Sequence, residues 1–499
     1  MKNEDKMYLV IICVVWAVFR FPFIQALPLQ LDEGLYAQMT NQFIQNPTLQ
    51  PVFMGETVSW RPIGYFVINT PFVILGKALA LDVDLTYRLS SLFFSFLTCF
   101  ALYFLIKEMY NRPDIAFVGT LFYQSNFATV FVSNRGLTDS VLMFFITASL
   151  YFYFKGKTGK NYFLVAGGLA FIAYFIKTVM AVAIPFLAIC YWLLKDRKVL
   201  FDRQFLLSLL TIPVAAVLVA IIMNASNGQL GSDISTLLVK FDGGHSNFAE
   251  VMISASVVFI AMIGMFIGFF ASGLKKIANF DPFIIMWLCM LPVLIWGSQV
   301  GMPWYLLPAM PAVGIVVAVG AFDKKTKFDK FASFVFAFLV LMTLAIVVYY
   351  YSSIATEPQY EKEAGQYLAG KDNVVVAGYY APGLLFYKYN IDSKTKNICT
   401  IVTGLKGANN TFGAQTNDPA KSADDVVLSA YFAPIGSNEY DNRWTDAFWD
   451  RRPLKVGCGG FEPEYLAAVG LQPRTVAKIG NFTLVKNVSG EILIYKKSG

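Results

Sequence analysis

An aspartate and a glutamate stand side by side, Asp32 and Glu33, in the string LQLDEGLYAQMT, just past the first apolar run of membrane length. Carboxylates at a bilayer surface cost free energy to keep unless they do chemistry, carry ions or find partners. One carboxylate can take the proton of an attacking hydroxyl. Its neighbour can orient it, bind an acceptor, or simply favour a helix N-terminus. The plainest role for Asp32 is to cap the helix that GLYAQMTNQF would form, which is compatible with catalysis. Tyr36, one turn on, is a candidate for shaping the same site.

Further charges punctuate segments that are otherwise apolar. Arg61 lies in WRPIGYF, Arg88 in TYRLSS, Arg135 and Asp139 in SNRGLTDSVLMFF, and Lys177 in FIKTVMAVAIP. Lys240 and His245 lie in LVKFDGGHSNF, and Tyr305 in PWYLLPAMP. Cations and hydroxyls of this kind hold a phosphate and neutralise the charge that grows on it as it leaves. Each has a blander reading. Arg61 and Arg88 could snorkel to lipid headgroups. Arg135 and Asp139 could form a local ion pair worth under about 1 kcal/mol. Lys177 could merely turn the chain between two apolar runs. The lone His245 could be incidental, and Tyr305 could belong to an interfacial aromatic belt. Asp32, Glu33 and Asp139 are also oxygen donors of the type that binds a divalent cation, which spacing alone does not establish.

The elements that must place these groups are membrane helices. The chain has 499 residues, 56% hydrophobic and 16% aromatic, with only 15% charged. Soluble domains carry about 25% charged residues. Runs near the length of about 20 residues that a span needs occur at roughly 7–29, 87–106, 115–132, 140–154, 162–176, 179–194, 204–223, 251–272, 281–297, 304–321 and 331–351. The first is longer than a signal-peptide core and lacks a small-residue cleavage site, so it is expected to remain as a span. The run 62–80 is interrupted by Asn69, Pro71, Gly76 and Lys77 and is expected to lie in the interface.

Loop charges fix the expected orientation. With 62–80 not crossing, one side collects Lys2, Lys6, Lys107, Arg112, Lys155, Lys157, Lys160, Lys195, Arg197, Lys198, Arg203, Lys275, Lys276 and the cluster Lys324, Lys325, Lys327 and Lys330. That side is cytoplasmic by the positive-inside rule. Asp32, Glu33, Arg61, Arg88, Arg135, Asp139, Lys177 and Lys240 then share the opposite side. The net charge of +7 is therefore a membrane signature and no pointer to nucleic acid. Residues 1–352 form the expected membrane domain, with an outer loop at 30–86. Residues 353–499 turn polar, with strand-like runs at Asn373–Ala377, Asp425–Ser429, Phe482–Val485 and Glu491–Tyr495 and a helix start at Pro382–Tyr389. They are expected to form an extracytoplasmic α/β domain. Cys399 and Cys458 lie there and are open to disulfide pairing in an oxidising compartment.

These segments, in this order, resemble the lipid-phosphate-dependent glycosyltransferases of the multi-span GT-C fold. The pattern is most similar to the dolichyl-phosphate-mannose protein O-mannosyltransferases and the lipid A aminoarabinose transferases. LDEGLYAQ resembles their first-outer-loop motif, which implies that Asp32 is catalytic. GETVSWRPIGYF is similar to a Gly-x5-Lys-Pro-Pro-x-x-Tyr element, with Arg61 at the lysine position and Ile63 at the second proline. NRGLTDSVLMFF is similar to the Arg-x4-Asp-Ser/Thr-x-Leu-x-Phe-Phe element. IKTVMAVAIP resembles a Lys-Gly-Pro element but lacks its Gly-Pro, and KFDGGHSNF and WYLLPAMPAVG look like later outer-loop elements. The likeness covers roughly residues 7–320.

The expected protein is therefore an all-α polytopic membrane protein of GT-C type, with about 11 spans plus interfacial helices and a C-terminal α/β domain. Its expected reaction transfers a hexose or pentose from a polyprenyl phosphate to a hydroxyl of a lipid, glycan or protein. Asp32, Glu33 and Asp139 would be catalytic. Arg61, Arg88, Arg135, Lys177, Lys240 and Tyr305 would bind donor phosphate, and His245 and Tyr36 would shape the acceptor side. No cofactor is assigned, and a divalent cation is an open option. The rivals are a secondary transporter, which needs carboxylates near the bilayer midplane, and a non-catalytic envelope assembly protein.

Overall fold

The computed structural model describes residues 3–25, 29, 31–53, 56–57, 62–159, 161–224, 264–278, 282–289, 307–322, 330–355, 360–368, 374–377, 398–401, 465–469, 478–479, 482–488 and 492–497. The chain divides into two compact units. One is Met1–Ala26, Thr48–Pro51 and Ser59–Ser353; the other is Leu27–Pro47, Val52–Val58 and Ile354–Gly499.

The first unit is helical. Its helices are α1 (Asn3–Arg20), α3 (Gly64–Ala78), α4 (Val83–Tyr110), α5 (Pro113–Ser125), α6 (Phe127–Ser133), α7 (Thr138–Lys155), α8 (Asn161–Ile176), α9 (Thr178–Ala181), α10 (Ala183–Lys195), α11 (Arg203–Leu209) and α12 (Thr211–Asn224). They are followed by α13 (Ile267–Ala278), α14 (Pro282–Leu288), α15 (Met310–Ala321) and α16 (Lys330–Ala355). The second unit holds α2 (Leu31–Gln45), which falls between α1 and α3 in the chain, and α17 (Tyr360–Leu368).

Among the described residues, three stretches are long and apolar enough to cross a membrane: Val83–Tyr110, Arg203–Ile222 and Ser333–Ser352. The α5–α6 pair would be a fourth if its arms, bent by 62°, form one broken pass. Two of these stretches, Arg203–Ile222 and Ser333–Ser352, carry exposed Phe, Leu, Val and Ile along much of their length, such as Val217, Ile221, Phe334 and Leu341, whereas Val83–Tyr110 is mostly buried. An all-round apolar helix with such a surface suits lipid.

Two expected runs are broken in ways that hydropathy does not reveal. The run 7–29 is a helix only to Arg20; Pro22 disfavours a helical conformation for the residue before it, and the chain leaves in turns. The run 115–132 splits at Asn126, whose backbone is extended and whose side chain accepts a hydrogen bond from the Ala128 N–H at 3.0 Å. Asn126 thus ends one helix and caps the next. Such a break inside an apolar bundle is stable only if its freed carbonyls find partners in the protein.

Small residues let the helix backbones touch. A Cβ added at Gly273 would meet the Val316 carbonyl oxygen at 1.9 Å, and one at Gly320 would meet that of Phe269 at 1.9 Å, so α13 and α15 are in backbone contact. Gly119 of α5 faces Gly314 of α15 in the same manner. This is how helices associate where burial from water gives no driving force. Near the start of α1, Asp5 is buried and accepts from the Tyr103 hydroxyl at 2.7 Å and from Lys107 Nζ at 2.8 Å. Asp5→Leu is expected to lower stability by about 1–3 kcal/mol, because Tyr103 loses its acceptor while Lys107, partly exposed, can still reach water. Thermal unfolding of the detergent-solubilised variant checks this, and a midpoint equal to wild type would refute it.

In the second unit, β1 (Val52–Phe53) and β2 (Glu56–Thr57) form a small hairpin that packs beside α2. Six strands follow: β3 (Val374–Ala377), β4 (Ile398–Ile401), β5 (Tyr465–Val469), β6 (Lys478–Ile479), β7 (Phe482–Val488) and β8 (Ile492–Lys497). They make one mixed sheet in the order β4-β3-β5-β8-β7-β6. β3 runs parallel to β4 and β5, and the remaining pairs are antiparallel. Glu363 of α17 pairs with Lys486 of β7 at 3.0 Å. The expected strand at Asp425–Ser429, the helix start at Pro382–Tyr389 and Cys458 lie outside the described residues.

Candidate functional site

Asp139 and Lys177 come together. Lys177 Nζ lies 2.7 Å from Asp139 Oδ1, and the two side chains are only 12% and 6% exposed. Asp139 sits in the first turn of α7, where the helix dipole favours a negative charge. Lys177 occupies the joint between α8 and α9 with extended backbone (φ −156°, ψ 103°). That break is what frees a lysine within an apolar run to turn toward a partner 38 residues away. The Thr138 hydroxyl lies 3.3 Å from Asp139 Oδ2.

The turn before α7 is held from several sides. The Tyr65 hydroxyl of α3 donates to the Gly136 carbonyl at 3.0 Å. Ser91 of α4 donates to the Leu137 carbonyl at 3.1 Å. Asn134 Nδ2 reaches the Phe19 carbonyl at 3.5 Å. Arg135 lies with its guanidinium 4.2 Å from the centre of the Phe131 ring, a cation–π geometry that orients the charge. The Asp139 carboxylate thus pairs with Lys177, which the sequence reading of a local Arg135–Asp139 pair did not contain.

Arg88 is not a snorkelling surface residue. It is 1% exposed, and Nη1 donates to the Ile24 carbonyl at 2.6 Å, tying α4 to the turns after α1. Phe23 in those turns stacks on Tyr351 of α16 at 5.0 Å. In α3, Asn69 accepts from the Ser90 hydroxyl at 2.6 Å, so α3 is locked to α4 two residues beyond Arg88. Arg88, Arg135, Asp139 and Lys177 therefore gather about one end of the helical unit, and the Asp5–Lys107 pair lies near the other end of α1 and α4.

Gly64 permits the approach of α3 to α8. A Cβ there would lie 2.5 Å from the Phe175 carbonyl oxygen. Gly64→Ala is expected to push α3 off α8, displace Tyr65 from Gly136 and cost about 1–3 kcal/mol. An unchanged melting temperature would show that the helix yields freely.

Asp32 and Glu33 are described within the second unit. Both lie in the first turn of α2, inside the helix, where Asp32 was expected as its cap. Glu33 is 2% exposed and Tyr36 is buried; its carbonyl accepts from the Thr40 hydroxyl at 2.7 Å. Arg61, Lys240, His245 and Tyr305 lie outside the described residues. Among the described residues no three His, Cys, Asp or Glu side chains gather as metal ligands.

Arg20 was missed. It closes α1 in AVFRFPF and is fully buried at the same end as Arg88 and Arg135. The signal was present, since a charge inside an apolar run marks function or a specific partner. It was absorbed into an assumed span that continues past it.

Residues 69–223 match the family model described as dolichyl-phosphate-mannose-protein mannosyltransferase. An undecaprenyl phosphate-alpha-4-amino-4-deoxy-L-arabinose arabinosyl transferase of Proteus mirabilis is 26% identical over 211 residues, covering 40% of this chain and 36% of that protein. The chain spans about a third of the length of the first curated relatives it matches, 36% and 31% of the first two. In three dimensions it is similar to ArnT from Cupriavidus metallidurans bound to undecaprenyl phosphate, with a TM-score of 0.56 at 13% identity, covering 98% of this chain and 97% of the other. It is also similar to the oligosaccharyltransferase of Archaeoglobus fulgidus, with a TM-score of 0.57 at 11% identity, covering 93% and 68%. The two expected breaks from soluble architecture, an apolar helical body and charges gathered at one end of it, are thus those of an existing class: the chain has the GT-C fold and resembles the lipid-phosphate-dependent glycosyltransferases.

Proposed function

We propose that the protein is an integral-membrane glycosyltransferase that moves a sugar from a polyprenyl phosphate to an acceptor hydroxyl on a lipid, glycan or protein at the outer face. The observation that carries this reading is the buried Asp139–Lys177 pair at the end of the helical unit where Arg88 and Arg135 also lie. A paired lysine and nearby arginines are the groups that receive a phosphate and stabilise the charge released when the sugar departs. The relatives support the donor class, since one curated match is named for undecaprenyl phosphate-linked aminoarabinose and a structural neighbour holds undecaprenyl phosphate.

In the proposed reaction Asp32 accepts the acceptor's proton as its oxygen attacks the anomeric carbon, with inversion. Glu33 orients it, and Tyr36 and His245 shape the acceptor side. Lys177, Arg88, Arg135, Arg61, Lys240 and Tyr305 meet the donor phosphate, and Asp139 sets the place of Lys177. The N-terminus is cytoplasmic, about 11 spans cross an inner membrane, and residues 353–499 form an extracytoplasmic α/β domain. A lipid or glycan acceptor is favoured, because the likeness to ArnT extends over 98% of this chain and 97% of that one. A transporter is disfavoured: the charges cluster at helix ends rather than at mid-bilayer.

The test is to incubate the purified protein in lipid nanodiscs with radiolabelled polyprenyl-phosphate sugars and a membrane extract. Label is expected to move to an extractable acceptor in the presence of at least one donor. Failure with hexosyl and pentosyl donors alike would overturn the reading. Adding EDTA to the same assay reads divalent-cation dependence.

A further inference from the structure

The bend between α5 and α6 needs a partner for the carbonyls that a broken helix leaves free. Arg20 supplies one. Its Nη1 donates to the carbonyl of Gln124, near the end of α5, at 2.5 Å. Its Nε donates to the hydroxyl of Ser133, the last residue of α6, at 3.1 Å. One rigid, planar group thus grips both arms of a 62° elbow. The neighbouring backbone joins in, since the Phe19 carbonyl lies 3.5 Å from Asn134 Nδ2.

Arg20 is 0% exposed, and among the described residues its guanidinium bonds to no carboxylate and Nη2 has no partner. An apolar side chain could fill this volume without desolvating a charge. What it could not supply is two donors at a fixed separation. From Ser133 the chain runs through Arg135 to Asp139, a turn fastened at its far end by Lys177. Its middle is held by Tyr65 and Ser91. Arg20 is the fastening at the near end.

We infer that Arg20 is a positioning residue for transfer: by bracing the α5–α6 elbow it sets the turn that presents Arg135 and Asp139. The inference rests on the proposed glycosyl-transfer reading, and its test has one arm that does not. Arg20→Lys keeps the charge and length but cannot hold both arms. Misplacement of reacting groups by about 1 Å can lower a rate about 100-fold. Arg20→Lys is therefore expected to lower kcat roughly 10- to 100-fold per folded molecule, with donor KM changed less than about threefold. Ser133→Ala removes only the Nε contact and is expected to give a smaller loss in the same direction.

The second arm is hydrogen exchange of the intact protein in nanodiscs. Amides 134–139 are expected to exchange at least about tenfold faster in Arg20→Lys, while those of α8 and α15 keep wild-type protection. Wild-type kcat and wild-type exchange in that turn would overturn the inference. So would a loss of protection spread evenly over all the helices. If Arg20→Lys fails to fold, Ser133→Ala decides by the same two readouts. Inactivity of the wild type with any donor would refute the transferase reading while the exchange arm still judged the brace.

Discussion

Asp32→Asn is expected to reduce sugar transfer by about 10²- to 10⁴-fold, the range by which a positioned general base contributes. The amide has the carboxylate's shape but cannot take a proton from the attacking hydroxyl. Asp32 is half-buried in the first turn of α2, where the lost charge costs a helix-dipole interaction of about 0.3–1 kcal/mol and the amide keeps the side chain's volume and one acceptor oxygen. Expression and thermal stability should therefore stay close to wild type while transfer falls. Glu33→Gln is the internal comparison: it is deeply buried, so its substitution should disturb stability more and transfer less. Equal transfer by wild type and Asp32→Asn would remove Asp32 from the mechanism.

The second large effect concerns Lys177. Lys177→Met leaves the Asp139 carboxylate buried without its bonded cation, which is expected to destabilise the helical unit by about 3–5 kcal/mol. Transfer should fall by about 10²- to 10³-fold, as when one electrostatic contact to developing charge is lost. Those two losses need not share a cause, and a double replacement separates them. Lys177→Met with Asp139→Leu removes both charges and replaces them with apolar volume, which for buried pairs is often neutral or better for stability. The double variant is expected to regain the wild-type melting temperature and remain inactive. If it transferred sugar normally, the pair would be a structural clamp and the phosphate would be held elsewhere.

Much of the helical body could be read from the chain because lipid-facing helices announce themselves by length and hydropathy. The turn SNRGLTDS is where its residues predict, opening directly into α7. Lys177 lies at a joint between helices, as an isolated lysine between two apolar runs implies. What hydropathy does not encode is lateral order. Nothing in the spacing of Asp139 and Lys177 says that α7 and the α8–α9 joint are neighbours. Nor does the burial of Arg20 follow from its place in the chain, since a run of Phe, Val and Ile continues on both sides of Pro22. The elbow at Asn126 was invisible for a related reason: the short polar string Gln124-Ser125-Asn126 is averaged out by the apolar residues on either side, yet an Asn can cap a helix. In the sheet, β3, β7 and β8 are strands where Val, Ile, Thr and Phe alternate or cluster. β5 was not expected: three of the five residues of YLAAV, Leu466, Ala467 and Ala468, are good helix formers, yet it joins β3 to β8 near the middle of the sheet. There the pairing on both sides outweighs local preference.

The touching backbones of α13 and α15 make this pair a rivet. Two glycines whose α-carbons rest against opposing carbonyls leave no room for rolling or sliding, and no side chain to repack if one helix shifts. On the proposed reading, any breathing that admits the donor's lipid tail must then take place in parts of the bundle joined by side chains, which can change rotamer, while the riveted seam stays still as their reference.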